Sequence, residues 1–300
     1  MNGLQAHTER MTKGILINTG SLGQTLSKAS GFAVTDRLNN NANTSRYAVV
    51  IGDGELQEGQ IFESLQTIYT YKLTNITIII DINNFQTDNL VTDIKQIHDY
   101  KLLFESFGYE VFEVLDGHNC NDIKAAWEQT KNKLAVILLH TVKGGGSEFT
   151  KPIGNYQPWH GKIPNWIEYS KIVNEQLENA KKFANNNEKL LAILATIPWS
   201  DEKMAQYTQL KDPIKSTALG TGKVFGGALI HLLNKNSKVC VLDADLASSC
   251  GLSASIKHER YFELGISEQD MVSFAGGSYF QFLYPNVRTL NTFLSRIGTE

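Results

Sequence analysis

The chain has 300 residues, 42% of them hydrophobic, and a formal net charge of −3 at pH 7. This length and apolar content can bury a large core, and we expect two domains. The charge is small and dispersed and no apolar run reaches membrane-spanning length, so we expect a soluble protein that binds neither nucleic acid nor membrane. Cys120, Cys240 and Cys250 lack metal-ligand spacing, which favours reduced thiols and a cytoplasmic location.

The first segment, Met1–Thr19, has weak apolar periodicity and supplies no leading strand and helix to shield a parallel sheet. A turn rich in small residues, Gly20–Gly23, follows it. We predict a helix over Leu26–Leu38, ended by the polar run Asn39–Thr44.

The next stretch has the pattern of one βαβ unit. Tyr47–Ile51 is a short β-branched apolar run, which is typical of a buried parallel strand. Apolar residues then recur near the 3.6-residue period between Glu55 and Leu73, which predicts a helix. The apolar run Ile76–Ile82 predicts the second strand.

Polar residues follow both strands at the same predicted edge of the sheet. Asp53 lies between Gly52 and Gly54, and Asn83 follows the second strand. Carboxylate, amide and main-chain oxygens are suitable ligands for Mg²⁺, which completes its shell with diphosphate oxygens and water. Glycines beside the aspartate let the main chain approach phosphates. Each motif alone is an ordinary turn, but the pair on one βαβ unit predicts a metal-diphosphate site at the ligand edge of the sheet.

The alternating pattern continues and predicts an α/β fold with parallel sheets. Three regions are predicted: a first domain over residues 1–165, a polar helical connector over 166–212, and an incomplete second α/β domain over 213–300. The further predicted elements are helices over 101–107, 121–131 and 222–233 and strands over 109–114, 134–142, 239–242 and 261–264, with another helix opening after Gly265.

The string GDGELQEG at 52–59, followed by an apolar helix and DINNFQTDN at 81–89, resembles the thiamine-diphosphate motif of the transketolase family. The resemblance implies a thiamine-diphosphate-binding fold, with helices on both faces of parallel sheets, and thiamine diphosphate and Mg²⁺ as cofactors. It implies that Asp53, Asn83 and the main chain of Phe85 hold the metal and that Glu58 belongs to the cofactor site. The alternative for Glu58 is an acidic residue that complements the helix dipole.

Other matched residues extend the implied cofactor site. The string TGSLGQ at 19–24 resembles a family segment in which Gly20 and Leu22 would contact the cofactor, as would Gly52 and Gly54. The resemblance also implies that Asp245 lies near the cofactor and that Phe293 packs around its pyrimidine. The ordinary alternative for Asp245 is a solvated turn after a strand.

Three residues are the implied catalytic groups. Glu268, in the string GISEQDMV, would hydrogen-bond a ring nitrogen of the aminopyrimidine; alternatively it is a first-turn residue of the capping box Ser267-x-x-Asp270. His160, in WHGKIPN at 159–165, resembles a histidine of the smaller bacterial transketolases that faces the thiazolium. His7 matches a histidine that contacts sugars, although Gln-Ala precedes it where the family has Pro-Gly. The alternative for His7 is an exposed histidine near a frayed chain terminus. The alternative for His160 is a histidine that is hydrogen-bonded within a Pro-Gly loop.

The resemblance implies transfer of a two-carbon ketol unit from a ketose to an aldehyde, in a homodimer or higher oligomer with cofactor sites between subunits. It covers only about half of a full-length family member, so we expect either a partner chain that supplies missing segments or a fragment. Ala218 stands where the family has an arginine that grips sugar phosphates, which weakens the case for phosphorylated substrates. One alternative is a protein that binds the cofactor, or a truncated form, without catalytic activity of its own. The other, opposed by the 159–165 string, is a different thiamine enzyme such as a decarboxylating dehydrogenase component.

Overall fold

The structure is a computed structural model, and it describes residues 10–15, 18–38, 45–162, 164–185, 187–196, 221–272, 275 and 284–288. His7, Ala218 and Phe293 lie outside the described residues. The chain divides into two compact units. One comprises Met1–Thr141 and Gly222–Glu300, and the other comprises Val142–Thr221.

Four parallel strands form the first sheet, in the order β1-β2-β4-β3. They are β1 (Tyr47–Gly52), β2 (Ile76–Ile82), β3 (Glu110–Val114) and β4 (Ala135–His140). Strand β2 lies inside the sheet and is buried at most positions, which explains its continuous apolar sequence. The predicted α/β fold with parallel sheets is confirmed.

Helices cover both faces of this sheet. They are α1 (Thr25–Leu38), α2 (Gly59–Tyr71), α3 (Val91–Ile94), α4 (Tyr100–Ser106) and α5 (Cys120–Gln129). Leu26 of α1, Leu65 of α2 and Phe104 of α4 belong to one core with side chains of the sheet. On the other face, Ala126 of α5 packs in a second core with Ile137. Burial of these apolar surfaces holds the strand ends, and the loops that follow them, in place.

The predicted helix between Glu55 and Leu73 is divided in two. A 3-10 helix covers Gly54–Gln57, and α2 begins only at Gly59. Between them Glu58 is extended, with φ −73° and ψ 122°, and its amide donates to the Glu55 carbonyl at 3.0 Å. One continuous helix was therefore a wrong prediction, because this extended residue ends the first turn.

The described residues of the unit Val142–Thr221 form a 3-10 helix (Glu148–Thr150) and two α-helices, α6 (Trp166–Ala184) and α7 (Glu188–Thr196). Helix α6 begins with a capping box. The Asn165 side chain accepts a hydrogen bond from the Glu168 amide at 3.0 Å, and the Glu168 carboxylate accepts one from the Asn165 amide at 2.8 Å. The boundaries 1–165, 166–212 and 213–300 remain predictions.

A second parallel sheet belongs to the same unit as the first. It is formed by β5 (Val239–Asp243), β6 (Tyr261–Glu263) and β7 (Tyr284–Arg288), in the order β6-β5-β7. Leu229 and Leu233 pack in a core with Val241 of its central strand. Within the described ranges, no helix is long and apolar enough to cross a membrane, and all three cysteines are free thiols. The helices described in this region are α8 (Thr221–Lys235) and α9 (Ala247–Cys250), and another helix begins at Glu268.

Candidate cofactor site

The loops after β1 and β2 meet at the carboxyl edge of the first sheet. The strands are parallel neighbours, and Gly52 pairs in register with Asp81. Asp53 follows directly and is 1% exposed. One of its side-chain oxygens accepts a hydrogen bond from the Asn84 amide at 2.6 Å, and the other accepts one from the Gly54 amide at 2.9 Å. The structure therefore brings Asp53 next to the Asn83–Phe85 loop, as the βαβ pattern predicts.

The Asn83–Phe85 loop has a fixed conformation. The Asn83 side chain accepts from the Phe85 amide at 3.0 Å and donates to the Asp81 carboxylate at 3.0 Å, while Asn84 has a positive φ of 64°. Asp53, Asn83 and the Phe85 carbonyl would offer only oxygen donors, a set that fits Mg²⁺ better than a softer metal. The described residues contain no cluster of three or more His, Cys, Asp or Glu side chains suited to a metal. A metal here would be held by one carboxylate together with amide, main-chain and ligand oxygens.

The glycine turn before α1 is attached to the same edge. The Gly23 amide donates to the Glu55 carboxylate at 2.8 Å. Gly23 has φ +76°, and a Cβ at this position would lie 2.8 Å from Cβ of Glu58. The turn that contains Gly20 and Leu22 is therefore held beside the first-strand loop. Glu58 is buried against this turn, and its place in the cofactor site remains a prediction.

Glu55 holds this turn in place, although the sequence analysis did not identify it as a site residue. Its side chain is buried and accepts the hydrogen bond from the Gly23 amide. Its burial raises the pKa of the carboxyl group, while hydrogen bonds from the amides of Gly23 and Gly52 partly offset that rise. The residue lies inside the quoted GDGELQEG string, but nothing in the string indicates which distant amide it binds. Nearby, burial and then the charge of Asp53 raise the pKa of Tyr100 to about 12.

The segment that carries Glu268 lies against the loop after β1. The Ile266 amide donates to the Gln57 side chain at 2.7 Å, and Cδ1 of Ile266 would lie 3.4 Å from a Cβ built on Gly54. Glu268 is 7% exposed. Among the residues that the structure describes, none forms a hydrogen bond or ion pair with its carboxylate. The structure thus places a mostly buried glutamate beside this loop, and a contact between its carboxylate and a cofactor ring nitrogen remains a prediction.

Asp245 holds the loop that follows Phe85. Its two carboxylate oxygens accept hydrogen bonds from the amides of Thr87 at 2.6 Å and Asp88 at 3.1 Å. Asp245 has φ 58°, and burial raises its pKa to about 6 although these amides favour the charged form. The observed role is to hold the loop, and a direct contact of Asp245 with the cofactor remains a prediction.

His160 belongs to the other unit, and its side chain is exposed there. Its neighbour Trp159 packs against Phe149 with ring centroids 5.0 Å apart, and Nζ of Lys162 lies 4.1 Å from the Trp159 ring centroid. A catalytic role for His160 remains a prediction, as do the roles of His7 and Phe293.

Two family models match the chain. The model described as "Transketolase, thiamine diphosphate binding domain" matches residues 3–162, and the one described as "Transketolase, pyrimidine binding domain" matches residues 217–299. With the parallel sheets, these matches define a protein with a thiamine-diphosphate-binding fold. Because the first model covers more than half of the chain, this chain belongs to the transketolase family.

Relatives of this chain include transketolases and one transketolase subunit. Transketolase from Homo sapiens is 32% identical over 272 residues, which are 87% of this chain and 41% of the human protein. One of the named subunits of apulose-4-phosphate transketolase from Phocaeicola vulgatus is 30% identical over 187 residues, covering 61% of this chain and 64% of that relative. A crystal structure of transketolase from Campylobacter jejuni is 22% identical and has a TM-score of 0.46, covering 97% of this chain and 51% of that chain. The chain thus spans less than half the length of the human relative.

Proposed function

We propose that this protein binds thiamine diphosphate and Mg²⁺ and takes part in the transfer of a two-carbon ketol unit from a ketose to an aldehyde. The observation that carries the proposal is the position of Glu268. This mostly buried glutamate, 7% exposed, lies on a segment that contacts the loop containing Gly54 through Ile266. When bound, thiamine diphosphate supplies a carbon nucleophile that cleaves the ketose and carries the two-carbon unit.

The chain's own residues have separate tasks in this proposal. Asp53, Asn83 and the Phe85 carbonyl hold Mg²⁺, which neutralises the diphosphate. Glu268 shares a proton with a ring nitrogen of the aminopyrimidine and thereby sets the protonation of that ring. His160 donates hydrogen bonds to substrate oxygens.

The glycine-rich segments and the remaining predicted residues complete the proposed site. Main-chain groups near Gly20 and Gly52 approach the cofactor without side-chain obstruction. Outside the described residues, His7 contacts the sugar and Phe293 packs on the pyrimidine. Ala218 stands where the family has an arginine that binds sugar phosphates. We therefore propose sugar substrates without assigning them a phosphate group.

A second candidate is a protein that works only with a partner chain. It is favoured by the Phocaeicola vulgatus relative, whose name describes one subunit of an enzyme. In this candidate a partner chain completes the active site. In either candidate we propose a homodimer or larger assembly in a reducing cytoplasm, in keeping with the three free thiols.

A turnover assay distinguishes these candidates. The purified chain is supplied with thiamine diphosphate, Mg²⁺, a ketose donor and an aldehyde acceptor, using xylulose 5-phosphate and unphosphorylated ketoses in parallel. Ketol transfer that Glu268→Gln abolishes, and that the exposed control Glu259→Gln leaves unchanged, supports a competent transferase. Cofactor binding without turnover supports the partner-dependent protein. Turnover that Glu268→Gln leaves unchanged contradicts the proposed role of Glu268.

A further inference from the structure

Two side chains from the first-sheet part of the unit reach the segment that carries Glu268. The Gln57 side-chain oxygen accepts from the Ile266 amide at 2.7 Å. Nζ of Lys95 donates to Oγ of Ser267 at 2.6 Å and to the Asp270 carboxylate at 2.8 Å. These contacts therefore lie on both sides of Glu268 in the sequence.

Gln57 is itself held in one orientation. Its amide nitrogen donates to the side-chain oxygen of Gln86 and to the Lys95 carbonyl, the latter at 3.4 Å. Gly265 makes room for it, because a Cβ at that position would lie 2.2 Å from Oε1 of Gln57. Gly265 also has a positive φ of 72°, which disfavours any other residue. The contact is thus built into both segments and does not depend on an exposed, mobile side chain.

Lys95 fixes the start of the helix that begins at Glu268. Oγ of Ser267 accepts from Lys95 and donates to the Leu264 carbonyl at 2.7 Å. The Lys95 side chain is 34% exposed, so its ion pair with Asp270 is partly screened and contributes more to geometry than to stability. Anchors before and after Glu268 together limit rotation of this first helical turn.

We propose that Gln57 and Lys95 are positioning residues that orient the Glu268 carboxylate toward the cofactor's aminopyrimidine. This inference rests on the proposed function. Because proton sharing requires hydrogen-bond distance and direction, a displacement of about 1 Å at Glu268 would slow the proton transfer by up to about a hundredfold. Neither residue touches the cofactor in this proposal. Both act through the segment between Gly265 and Asp270.

The test measures exchange of the thiazolium C2 proton of protein-bound thiamine diphosphate with D₂O, by rapid quench and NMR, with Mg²⁺ present. We expect Gln57→Leu and Lys95→Met each to slow this exchange by about tenfold or more while cofactor affinity stays near the wild-type value. Lys95→Arg, which keeps the charge and donors, restores much of the rate. The exposed controls Gln66→Leu and Lys101→Met leave it unchanged.

A failure of the proposed function and a failure of the positioning role give different results in this experiment. If the wild-type chain does not bind the cofactor or does not accelerate exchange over free thiamine diphosphate, the proposed function fails. If the wild type accelerates exchange and both Gln57→Leu and Lys95→Met match it, the positioning role is overturned. A slower rate that Lys95→Arg fails to restore, or that only follows a lower fraction of folded protein in urea titration, also overturns it.

Discussion

The main-chain amide of Asn84 donates a hydrogen bond of 2.6 Å to the buried carboxylate of Asp53. This bond joins the loops that follow two neighbouring strands into one structural element. Asp53 therefore has a structural role in addition to its proposed role as a metal ligand. The two roles can be separated by substitution, because an asparagine retains one acceptor oxygen and an alanine retains none.

We expect Asp53→Ala to destabilise the fold even without metal or cofactor. The substitution leaves the Asn84 and Gly54 amides without their acceptor, at a cost of about 1–3 kcal/mol for each buried group that water cannot reach. Asp53→Asn should lose less unfolding free energy than Asp53→Ala, since its side-chain oxygen can still accept a hydrogen bond from the Asn84 amide. Urea unfolding of both variants measures this difference. Asp93→Ala, at an exposed position, is the control, and equal stability of Asp53→Ala and that control would contradict the structural role.

Two glycine substitutions test the anchored turn before α1. Gly23→Ala places a Cβ 2.8 Å from Cβ of Glu58 on a residue with φ +76°. We expect a loss of about 1–3 kcal/mol in unfolding free energy, because the left-handed conformation and the overlap both oppose the alanine. Gly59→Ala is the matched control: no heavy atom lies within 4 Å of its added Cβ, and the residue begins a helix. Gly59→Ala should leave the unfolding free energy unchanged or raise it by up to about 1 kcal/mol. If Gly23→Ala is as stable as this control, the close packing of Gly23 against Glu58 is contradicted.

The stability of the fold should depend on pH through Asp243, a buried acid that lies beside Glu263. Asp243 and Glu263 pair in register on β5 and β6, and Asp243 accepts from the Tyr261 hydroxyl at 2.9 Å. Burial, followed by the charge of Glu263, raises the pKa of Asp243 to about 8. The folded protein thus keeps this proton at pH values where an unfolded aspartate, with a pKa of about 3.9, has lost it. The stabilisation is present in acid and is lost as the pH rises through about 8.

Urea unfolding at a series of pH values measures this linkage. Burial also raises the pKa of Asp245, to about 6, so its titration lowers the unfolding free energy over a more acidic range. The contribution of Asp243 is therefore measured above pH 6. Between about pH 6 and pH 8.5 the wild-type unfolding free energy should fall, and Asp243→Asn should flatten the fall because its side chain does not titrate. Asp93→Asn should keep the wild-type slope. An unchanged slope in Asp243→Asn would show that this carboxyl is not the titrating group.

Features governed by local pattern were predictable from the sequence. The continuous apolar run Ile76–Ile82 predicts a buried parallel strand and has the observed bounds of β2. The meeting of Asp53 with the Asn83 loop follows from the same logic, because the carboxyl ends of adjacent parallel strands share an edge. Family resemblance added Glu268, whose buried carboxylate no local periodicity would have distinguished from an ordinary helix start.

Contacts between distant segments could not be predicted in the same way. The bonds of Gln57 to Ile266 and of Asp245 to Thr87 depend on how the two sheets pack, which has no local signature. At Ser267 the sequence suggested a capping box with Asp270, but Lys95 binds both side chains. A side chain from another segment thus replaced the expected local interaction.

The most direct test is calorimetric titration of the purified chain with thiamine diphosphate, with and without Mg²⁺. Thiamine, which lacks the diphosphate, and the Asp53→Asn variant serve as controls. We expect saturable binding of thiamine diphosphate that requires Mg²⁺ and is strongly weakened in both controls, because the metal links the Asp53 loop to the diphosphate. Absence of binding, or equal binding without Mg²⁺ and in Asp53→Asn, would contradict the cofactor site at the edge of the first sheet.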